Sequence, residues 1–289
     1  MNDARQAACL GRIQRRTLVE LMTTGEKPSL DRYQRQTAFA PLGVKGQAAL
    51  SAGRALVVGV GGLGTWTAEL LARAGLGFLR LVDADKVDLT NIHRQGLYDE
   101  ADAGAGAFKV HAAAARIKRI NGTVAVETVA ARLGADNIET LAGDVGVILD
   151  GTDNFQTRFV INDYAVKTAR PWIFAGVVGA EAQTMTIVPG RTPCLRCIHE
   201  SPAPLCVEPT CRGAGVLGTV VAAIAAIQAM EAIKVLSGRI ETISPYLTKL
   251  DLWTNTIQRI DVSVAAANVA CPCCKGRRFE FLQDAKNSD

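Results

Sequence analysis

Residues 55–64, ALVVGVGGLG, join an apolar run of strand length to a turn rich in glycine. Gly59, Gly61 and Gly64 have the G-x-G-x-x-G spacing, and residues 65–74 beyond them have the periodicity of a helix. Glycines let the backbone turn sharply and approach a phosphate, while the helix offers unpaired N–H groups and the positive end of its dipole. The stretch therefore predicts a nucleotide-binding strand, turn and helix, with a purely structural glycine turn as the alternative.

Strands and helices alternate on both sides of this unit. The predicted strands are Ala55–Val58, Phe78–Val82, Val124–Val129, Val145–Leu149 and Trp172–Ala175. The predicted helices are Gln47–Ala52, Thr65–Ala74, Ala107–Ile120 and Phe155–Thr168. Such alternation implies right-handed βαβ units. The expected fold class is α/β, with a Rossmann-like, mostly parallel sheet that carries helices on both faces.

The pattern changes in the second half of the chain. Three antiparallel strands are predicted, at Thr184–Val188, Tyr246–Leu252 and Thr256–Val262, with a hairpin turn at Thr254-Asn255. Residues 216–236 form a long predicted helix that is apolar almost all round, so it should be buried or lie at a subunit interface. We expect one domain over residues 31–289, with a small antiparallel extension, after a partly helical arm over residues 1–30.

The composition excludes several classes of protein. In a chain of 289 residues, 48% hydrophobic and 21% charged residues exclude disorder over most of the length. A net charge of +4 and 5% aromatic residues do not suggest nucleic-acid binding. No apolar run reaches the roughly 18 residues of a membrane span, and residues 1–30 lack the apolar core of a signal peptide. We expect a cytoplasmic protein that binds neither nucleic acid nor membranes.

Charged side chains follow several predicted strands, at the edge where open α/β sheets bind ligands. Asp83 lies where a carboxylate accepts hydrogen bonds from ribose hydroxyls. Arg94 and Lys109 suit phosphate oxygens, and Asp153 suits Mg²⁺. The pyrophosphate of NAD would need neither the two cations nor the metal-binding carboxylate, so these three residues favour MgATP over NAD. The alternative is that each is a solvated surface charge.

Seven of the eight cysteines fall between Cys194 and Cys274. Without export they are expected to be thiols or metal ligands. Cys194 and Cys197 form one C-x-x-C pair and Cys271 and Cys274 form another, which together suit a closed, structural Cys₄ zinc site. Cys273 is then a surplus thiol. Disulfides or a redox dithiol are the alternatives.

These motifs together resemble those of the ThiF/MoeB/HesA family, bacterial relatives of ubiquitin-activating enzymes. The resemblance rests on GVGGLG at residues 59–64, LVDADKVDLTNIHRQ at 81–95, Lys109, GTDN at 151–154, the paired C-x-x-C, and an R-Y-x-R-Q opening at 32–36. It covers about residues 31–275, nearly the whole chain beyond the arm.

The resemblance implies an ATP-dependent adenylyltransferase. MgATP would adenylate the C-terminal glycine carboxylate of a small ubiquitin-fold sulfur carrier that ends in Gly-Gly, with release of pyrophosphate. Positioning and charge stabilisation suffice for that step. The alternative within the family is adenylation of a peptide, or activation of a ubiquitin-like protein through a thioester. Outside it, an NAD-dependent oxidoreductase and a non-catalytic nucleotide-binding scaffold remain open.

The resemblance also implies roles for individual residues. Gly62 would line the phosphates, Asp83 would bind ribose, and Thr90 to Arg94 would wrap the nucleotide. Arg94 and Lys109 would stabilise phosphate charge, and Asp153 would organise Mg²⁺. Arg35 would complete the site from the other subunit of a homodimer. The nucleotide-binding residues implied are Gly59, Gly61, Gly62, Gly64, Asp83, Thr90, Asn91, Ile92, His93, Arg94, Lys109, Asp153 and Asn154.

Cys211 is the candidate for covalent chemistry. It precedes the long predicted helix and adjoins Arg212, and both the helix dipole and the cation favour a thiolate. The resemblance places here a cysteine that can receive the activated carrier, or sulfur; a thiol without function is the alternative. Residues 202–209 depart from the family pattern and are expected to influence partner choice. Because only about 15 residues follow Cys274, no rhodanese domain is expected and sulfur should come from a separate donor.

Overall fold

The computed structural model describes residues 30–199 and 214–283. Its strands are β1 Arg54–Val58, β2 Phe78–Val82, β3 Ala125–Val129, β4 Val147–Asp150, β5 Trp172–Val178, β6 Glu181–Ile187, β7 Tyr246–Asp251 and β8 Thr256–Asp261. These eight strands form one sheet in the order β3-β2-β1-β4-β5-β6-β7-β8. Neighbours from β3 to β5 are parallel, and those from β5 to β8 are antiparallel. The predicted mostly parallel α/β sheet is confirmed, and its antiparallel strands continue the same sheet.

The helices of the described chain vary widely in length. They are α1 Gln34–Thr37, α2 Gly43–Ala52, α3 Gly62–Ala74, α4 Glu100–Gly104, α5 Lys109–Ile120, α6 Ile138–Ala142, α7 Phe155–Thr168, α8 Gly218–Leu236 and α9 Ser263–Asn268. Short 3-10 helices occupy Leu30–Tyr33, Leu89–Asn91, Leu195–Cys197, Ile240–Thr242 and Glu280–Leu282.

Both faces of the sheet are covered, as expected from the alternation of strands and helices. Ala55 and Val57 of β1 lie in a buried cluster with side chains of α3, α5 and α8. Leu56 and Val58 point to the opposite face, where they share a cluster with α6, α7 and the paired cysteines. Because successive strand residues point to opposite faces, a continuous apolar run such as β1 is buried on both sides.

Several element boundaries differ from the sequence-based expectation. β5 extends beyond the predicted Ala175 to Val178, because it pairs with β6 along seven positions, from Trp172–Ile187 to Val178–Glu181. α3 begins at Gly62 instead of Thr65, so two of the predicted phosphate-loop glycines belong to its first turn. The short helices α4, α6 and α9 were not predicted, since five or six residues are too few to establish a helical period.

The long helix α8 packs against α3 and the middle of the sheet. Among the described residues, α8 is the helix that is long and apolar enough to cross a bilayer. Length and composition are weak evidence for this, because the buried core helix of a soluble protein has the same properties. Val220, Ile224 and Gln228 are fully buried, whereas Leu217, just before the helix, and Met230 are about half exposed. The helix therefore covers the sheet with one side and leaves apolar surface on the other.

Three sequence-based expectations lie largely or wholly outside the described residues. These are the helical arm over residues 1–30, of which Leu30 alone is described, the loop at 202–209, and Cys211. They stay predictions.

Candidate functional site

The glycine-rich turn connects β1 to α3 at the carboxyl edge of the sheet. β1 lies between β2 and β4, so the turn occupies the point where strand order reverses, a preferred ligand position in open α/β sheets. Gly59 has a φ of 81°, and a Cβ there would lie 2.7 Å from the Gly151 oxygen. A Cβ on Gly64 would lie 1.9 Å from the Gly59 oxygen. A side chain at either position would collide with a neighbouring backbone oxygen, so both positions require glycine.

Gly61 differs from its neighbours because space lies beside it. An added Cβ would approach one side-chain atom within 4 Å, the Gln95 Nε2 at 3.7 Å. Gly61 is the N-cap of α3, and no side chain caps this end of the helix. The first N–H groups of a helix have no intrahelical acceptor, and its N-terminus carries partial positive charge. The turn thus combines open space with backbone donors, which is what an anion requires.

Asp83, the predicted ribose ligand, braces the glycine turn from the end of β2. Its Oδ2 accepts a hydrogen bond from the Val60 N–H at 2.7 Å, and its Oδ1 accepts one from the Asp85 N–H at 2.8 Å. Burial raises the pKa of the Asp83 carboxyl above its ordinary value, although the positive charge of Lys109 opposes the shift. Each carboxylate oxygen keeps a further lone pair, so the structure leaves Asp83 able to accept from a ligand.

Lys109, the predicted phosphate ligand, is buried at the start of α5 with its charge paired. Its Nζ donates a hydrogen bond to Asp85 Oδ2 at 2.9 Å, and its side chain is 9% exposed. The same two residues are also joined through the Lys109 N–H and the Asp85 oxygen. Sequence reasoning missed the role of Asp85, which holds the cation at the carboxyl edge.

The predicted nucleotide-wrapping segment, residues 90–94, follows Asp88 at the same edge. Asp88 accepts hydrogen bonds from Thr90, and its own N–H donates to the side chain of Asn91, so those two side chains stabilise the turn itself. Ile92 is half-buried and His93 exposed. Arg94 is half-buried, and its Nη1 lies 2.8 Å from both the Thr90 oxygen and His93 Nε2.

Three contacts clamp the end of this segment between α3 and α8. The Trp66 Nε1 donates a hydrogen bond to the Arg94 oxygen at 3.1 Å. The hydroxyl of Tyr98, four residues beyond the segment, donates to the Val60 oxygen at 2.7 Å, which ties the chain that follows the segment to the glycine turn. A Cβ on Gly218, at the start of α8, would lie 2.4 Å from the His93 oxygen. The segment is therefore a rigid wall beside the turn.

Asp153 and Asn154 follow β4, as predicted, but they differ in what they contact. Asp153 is exposed, and the described part of the chain offers it no hydrogen-bond or ion-pair partner. The Asn154 side chain accepts a hydrogen bond from the Thr157 N–H at 2.9 Å and so caps α7. The predicted ligand role of Asn154 would have to coexist with this capping bond.

A buried ion pair beneath this loop was missed from the sequence. Asp150 Oδ2 accepts a hydrogen bond from Arg158 Nε at 2.8 Å, with Asp150 fully buried and Arg158 6% exposed. Arg158 Nη2 also donates to the oxygens of Thr152 and Ala175. Gln228 of α8 completes the network by donating to the Asp150 oxygen at 2.8 Å. These bonds fix the loop that carries Asp153.

Arg35 lies far from the glycine turn of its own chain. It is exposed in α1, and its neighbour Gln36 donates a hydrogen bond to the Ala74 oxygen at 2.9 Å, at the last residue of α3. α3 has 13 residues, so this end lies about 18 Å along the axis from the turn. Arg35 does not join the other predicted residues within one chain.

The four predicted metal ligands come together. Cys194, Cys197, Cys271 and Cys274 place their Sγ atoms within 4.8 Å of one another. Three of the separations are 3.8, 3.6 and 3.4 Å, close to the roughly 3.8 Å expected for four thiolates about 2.3 Å from one Zn²⁺. The donor set and spacing fit zinc. Cys273 is also buried, but its Sγ accepts a hydrogen bond from Asn162 Nδ2 at 3.4 Å.

Comparison with known proteins accounts for this arrangement. The sequence model of the ThiF family matches residues 33–273. The chain is 40% identical over 252 residues to a sulfur carrier protein ThiS adenylyltransferase of Bacillus subtilis, covering 87% of this chain and 73% of that protein. It is 33% identical to a sulfur carrier protein adenylyltransferase of Thermus thermophilus, covering 86% and 92%.

A solved structure agrees at the level of fold. The crystal structure of Escherichia coli MccB superposes with a TM-score of 0.73 and 22% identity, over 87% of this chain and 74% of that one. The family match spans the glycine turn, the charged strand ends and three of the four clustered cysteines, so the resemblance drawn from the motifs is confirmed. The chain is a member of the ThiF family.

Proposed function

We propose that the protein is an ATP-dependent adenylyltransferase that activates the C-terminal carboxylate of a small ubiquitin-fold sulfur carrier ending in Gly-Gly. The observation that carries the proposal is the uncapped N-terminus of α3 at Gly61, which lies on the same edge as Arg94, Lys109 and Asp153. Relatives named sulfur carrier protein adenylyltransferases support the carrier as the acceptor of AMP.

In this proposal the chain works by positioning and by charge. The N–H groups at the start of α3 would bind phosphate oxygens, and Arg94 would stabilise charge as pyrophosphate departs. Lys109 would act mainly through its field, because its Nζ already pairs with Asp85. Asp83 would orient the nucleotide through its free lone pairs. Attack by the carrier carboxylate on the α-phosphate needs no covalent help from the chain.

Asp153 is the residue we propose to hold Mg²⁺. Magnesium, when bound, supplies positive charge to phosphate oxygens through a few carboxylate and phosphate ligands. An exposed carboxylate after the end of β4, without a partner among the described residues, fits such a donor. The Asp150–Arg158 pair would keep it in place.

We further propose a homodimer in which Arg35 completes the site of the partner copy. Its position beside the far end of α3 prevents a role in its own site, and the apolar side of α8 with the half-exposed Leu217 and Met230 offers surface for association. We also propose a cytoplasmic location. We propose a separate sulfur donor because the two relatives named above are called adenylyltransferases of a sulfur carrier, and their names assign them no transfer of sulfur.

The function is tested by carrier-dependent exchange of labelled pyrophosphate into ATP. The protein should catalyse exchange with Mg²⁺ and a purified carrier ending in Gly-Gly, and not with a carrier lacking the last glycine. Exchange that depends on a short peptide in place of the carrier would favour a peptide-activating enzyme instead. Nucleotide binding without exchange would favour a non-catalytic scaffold. Binding of NAD in place of ATP would favour the oxidoreductase.

Asp153→Asn should reduce exchange by a factor on the order of 10² or more, as expected for lost electrostatic stabilisation of the transition state. The substitution keeps the side-chain shape, so the thermal unfolding midpoint should be unchanged. Glu241→Gln, which neutralises an exposed carboxylate after α8, should exchange at the normal rate. Normal exchange by Asp153→Asn would remove Asp153 from the mechanism.

Cys211→Ala should keep pyrophosphate exchange but lose any covalent adduct with the carrier, measured as a thiol-sensitive mass increase after incubation with carrier and ATP. The reason is that adenylation requires no nucleophile from the chain, whereas thioester or persulfide transfer does. Cys206→Ala, in the preceding loop, serves as the matched control and should keep the adduct. An adduct that persists in Cys211→Ala would leave this thiol without a covalent role.

A further inference from the structure

The side-chain amide of Gln95 is buried, and its oxygen has no hydrogen-bond partner in the described part of the chain. The residue is 3% exposed, and its Oε1 lies away from solvent with no hydrogen bond. Within residues 30–199 and 214–283, no donor reaches this oxygen. Buried polar groups in folded proteins are nearly always hydrogen-bonded, so a glutamine side chain at such a depth with an unpaired oxygen is one that the described part of the chain does not fully satisfy.

The amide faces the space beside the glycine turn. Gln95 Nε2 lies 3.7 Å from the position of a Cβ on Gly61, and it is the one atom found within 4 Å of that position. Gly61 is also the N-cap of α3, where the first N–H groups of the helix have no side-chain cap among the described residues. The side-chain amide and the helix end therefore border the same small volume.

The surrounding contacts hold the backbone on both sides of Gln95. Its N–H donates a hydrogen bond to the Asn91 oxygen, and the next residue, Gly96, lies against the Trp66 ring, where an added Cβ would approach to 2.8 Å. The bonds from Trp66 to Arg94 and from Tyr98 to Val60 hold the chain on both sides. The amide is thus carried by a backbone held on both sides, and the residue is 3% exposed.

We propose that Gln95 donates a hydrogen bond from Nε2 to a phosphate oxygen of the nucleotide bound over Gly61. This inference rests on the proposed nucleotide-binding function and adds a ligand-contacting residue to it. A neutral donor on a rigid wall binds an oxygen at a fixed position, whereas the half-buried Arg94 contributes charge over a wider region. Gln95 would therefore help to recognise the phosphate chain and leave the nucleoside unaffected.

Two substitutions test the role of the amide through binding of MgATP and of adenosine, measured by calorimetry. Gln95→Glu keeps the shape but turns a carboxylate toward the phosphates, and should weaken MgATP binding by about tenfold or more. Gln95→Met removes the donor without adding charge and should weaken it by about fivefold. Adenosine binding should be the same in both variants as in the wild type. Gln258→Glu, the same change at an exposed position of β8, should bind both ligands normally.

A second measurement separates ligand contact from a structural role. Without nucleotide, Gln95→Met should unfold at the same temperature as the wild type or higher, because it replaces an unpaired buried amide with an apolar side chain of similar shape. A lower unfolding midpoint for Gln95→Met, or an unchanged ratio of MgATP to adenosine affinity in Gln95→Glu, would overturn the inference. Failure of the wild type to bind MgATP would instead overturn the proposed function, and this inference with it.

Discussion

Arg158→Met is expected to lower the free energy of unfolding by about 3–5 kcal/mol, the usual cost of removing one partner from a buried ion pair. Asp150 is fully buried, and Arg158 Nε is its charged partner at 2.8 Å. The substitution also removes the donor to the oxygens of Thr152 and Ala175. Because the loop with Asp153 rests on these bonds, pyrophosphate exchange should fall together with stability.

The loss is measured by urea denaturation against Arg116→Met, an exposed arginine of α5, which should change stability by no more than about 0.5 kcal/mol. The double variant Asp150→Asn/Arg158→Met should recover part of the loss, since no buried charge is then left without a partner. If Arg158→Met is no less stable than the Arg116→Met control, the ion pair does not stabilise the fold.

Cys271→Ser/Cys274→Ser should abolish zinc binding, from about one zinc per chain in the wild type to none. A closed Cys₄ site contributes its binding free energy to folding, and here it would join the segment at Cys194 and Cys197 to a segment 77 positions later in the chain. The double variant should therefore unfold at a much lower temperature than the wild type. Proteases should also cleave it more readily in the residues that follow β8.

Cys273→Ser is the matched control, because this thiol is buried beside the cluster yet bonds Asn162 instead of completing the four. It should keep one zinc per chain by metal analysis. A wild-type protein free of zinc, or full zinc content in the double variant, would contradict the assignment. A strong chelator should shift the unfolding midpoint of Cys273→Ser downward and leave that of the double variant unchanged.

The parts of the fold that sequence predicted well are those with local signals. Residues 78–82 and 155–168 matched their elements to the residue, because apolar periodicity and flanking turn residues mark both ends. The phosphate turn, the charged strand ends and the cysteine pairs have short-range patterns as well. Asn154 could have been recognised as a helix cap, since Asn directly before an apolar helical period is a known start signal.

The parts that sequence missed depend on contacts between distant residues. Arg158 follows Asp150 by eight positions but bonds it only because a strand and a helix pack together. Gln228 joins the same network from 78 positions away. The last three residues of β5 become strand because β6 pairs with them, and the buried amide of Gln95 is recognisable only once the turn beside it is built. In each case the partner, and not the local pattern, determines the structure.

The wide separation of the two cysteine pairs has a consequence for synthesis on the ribosome. At about 5–20 residues per second, Cys271 would be made about 4–15 s after Cys194. Until then the nascent chain would carry Cys194 and Cys197 as an incomplete pair, and until β7 is made at Tyr246–Asp251 the outer edge of β6 would also be unpaired. Unpaired strand edges and free thiols are both liabilities during translation. Supply of zinc to the emerging chain would therefore influence yield once Cys271 and Cys274 have been made, after the last strand of the sheet.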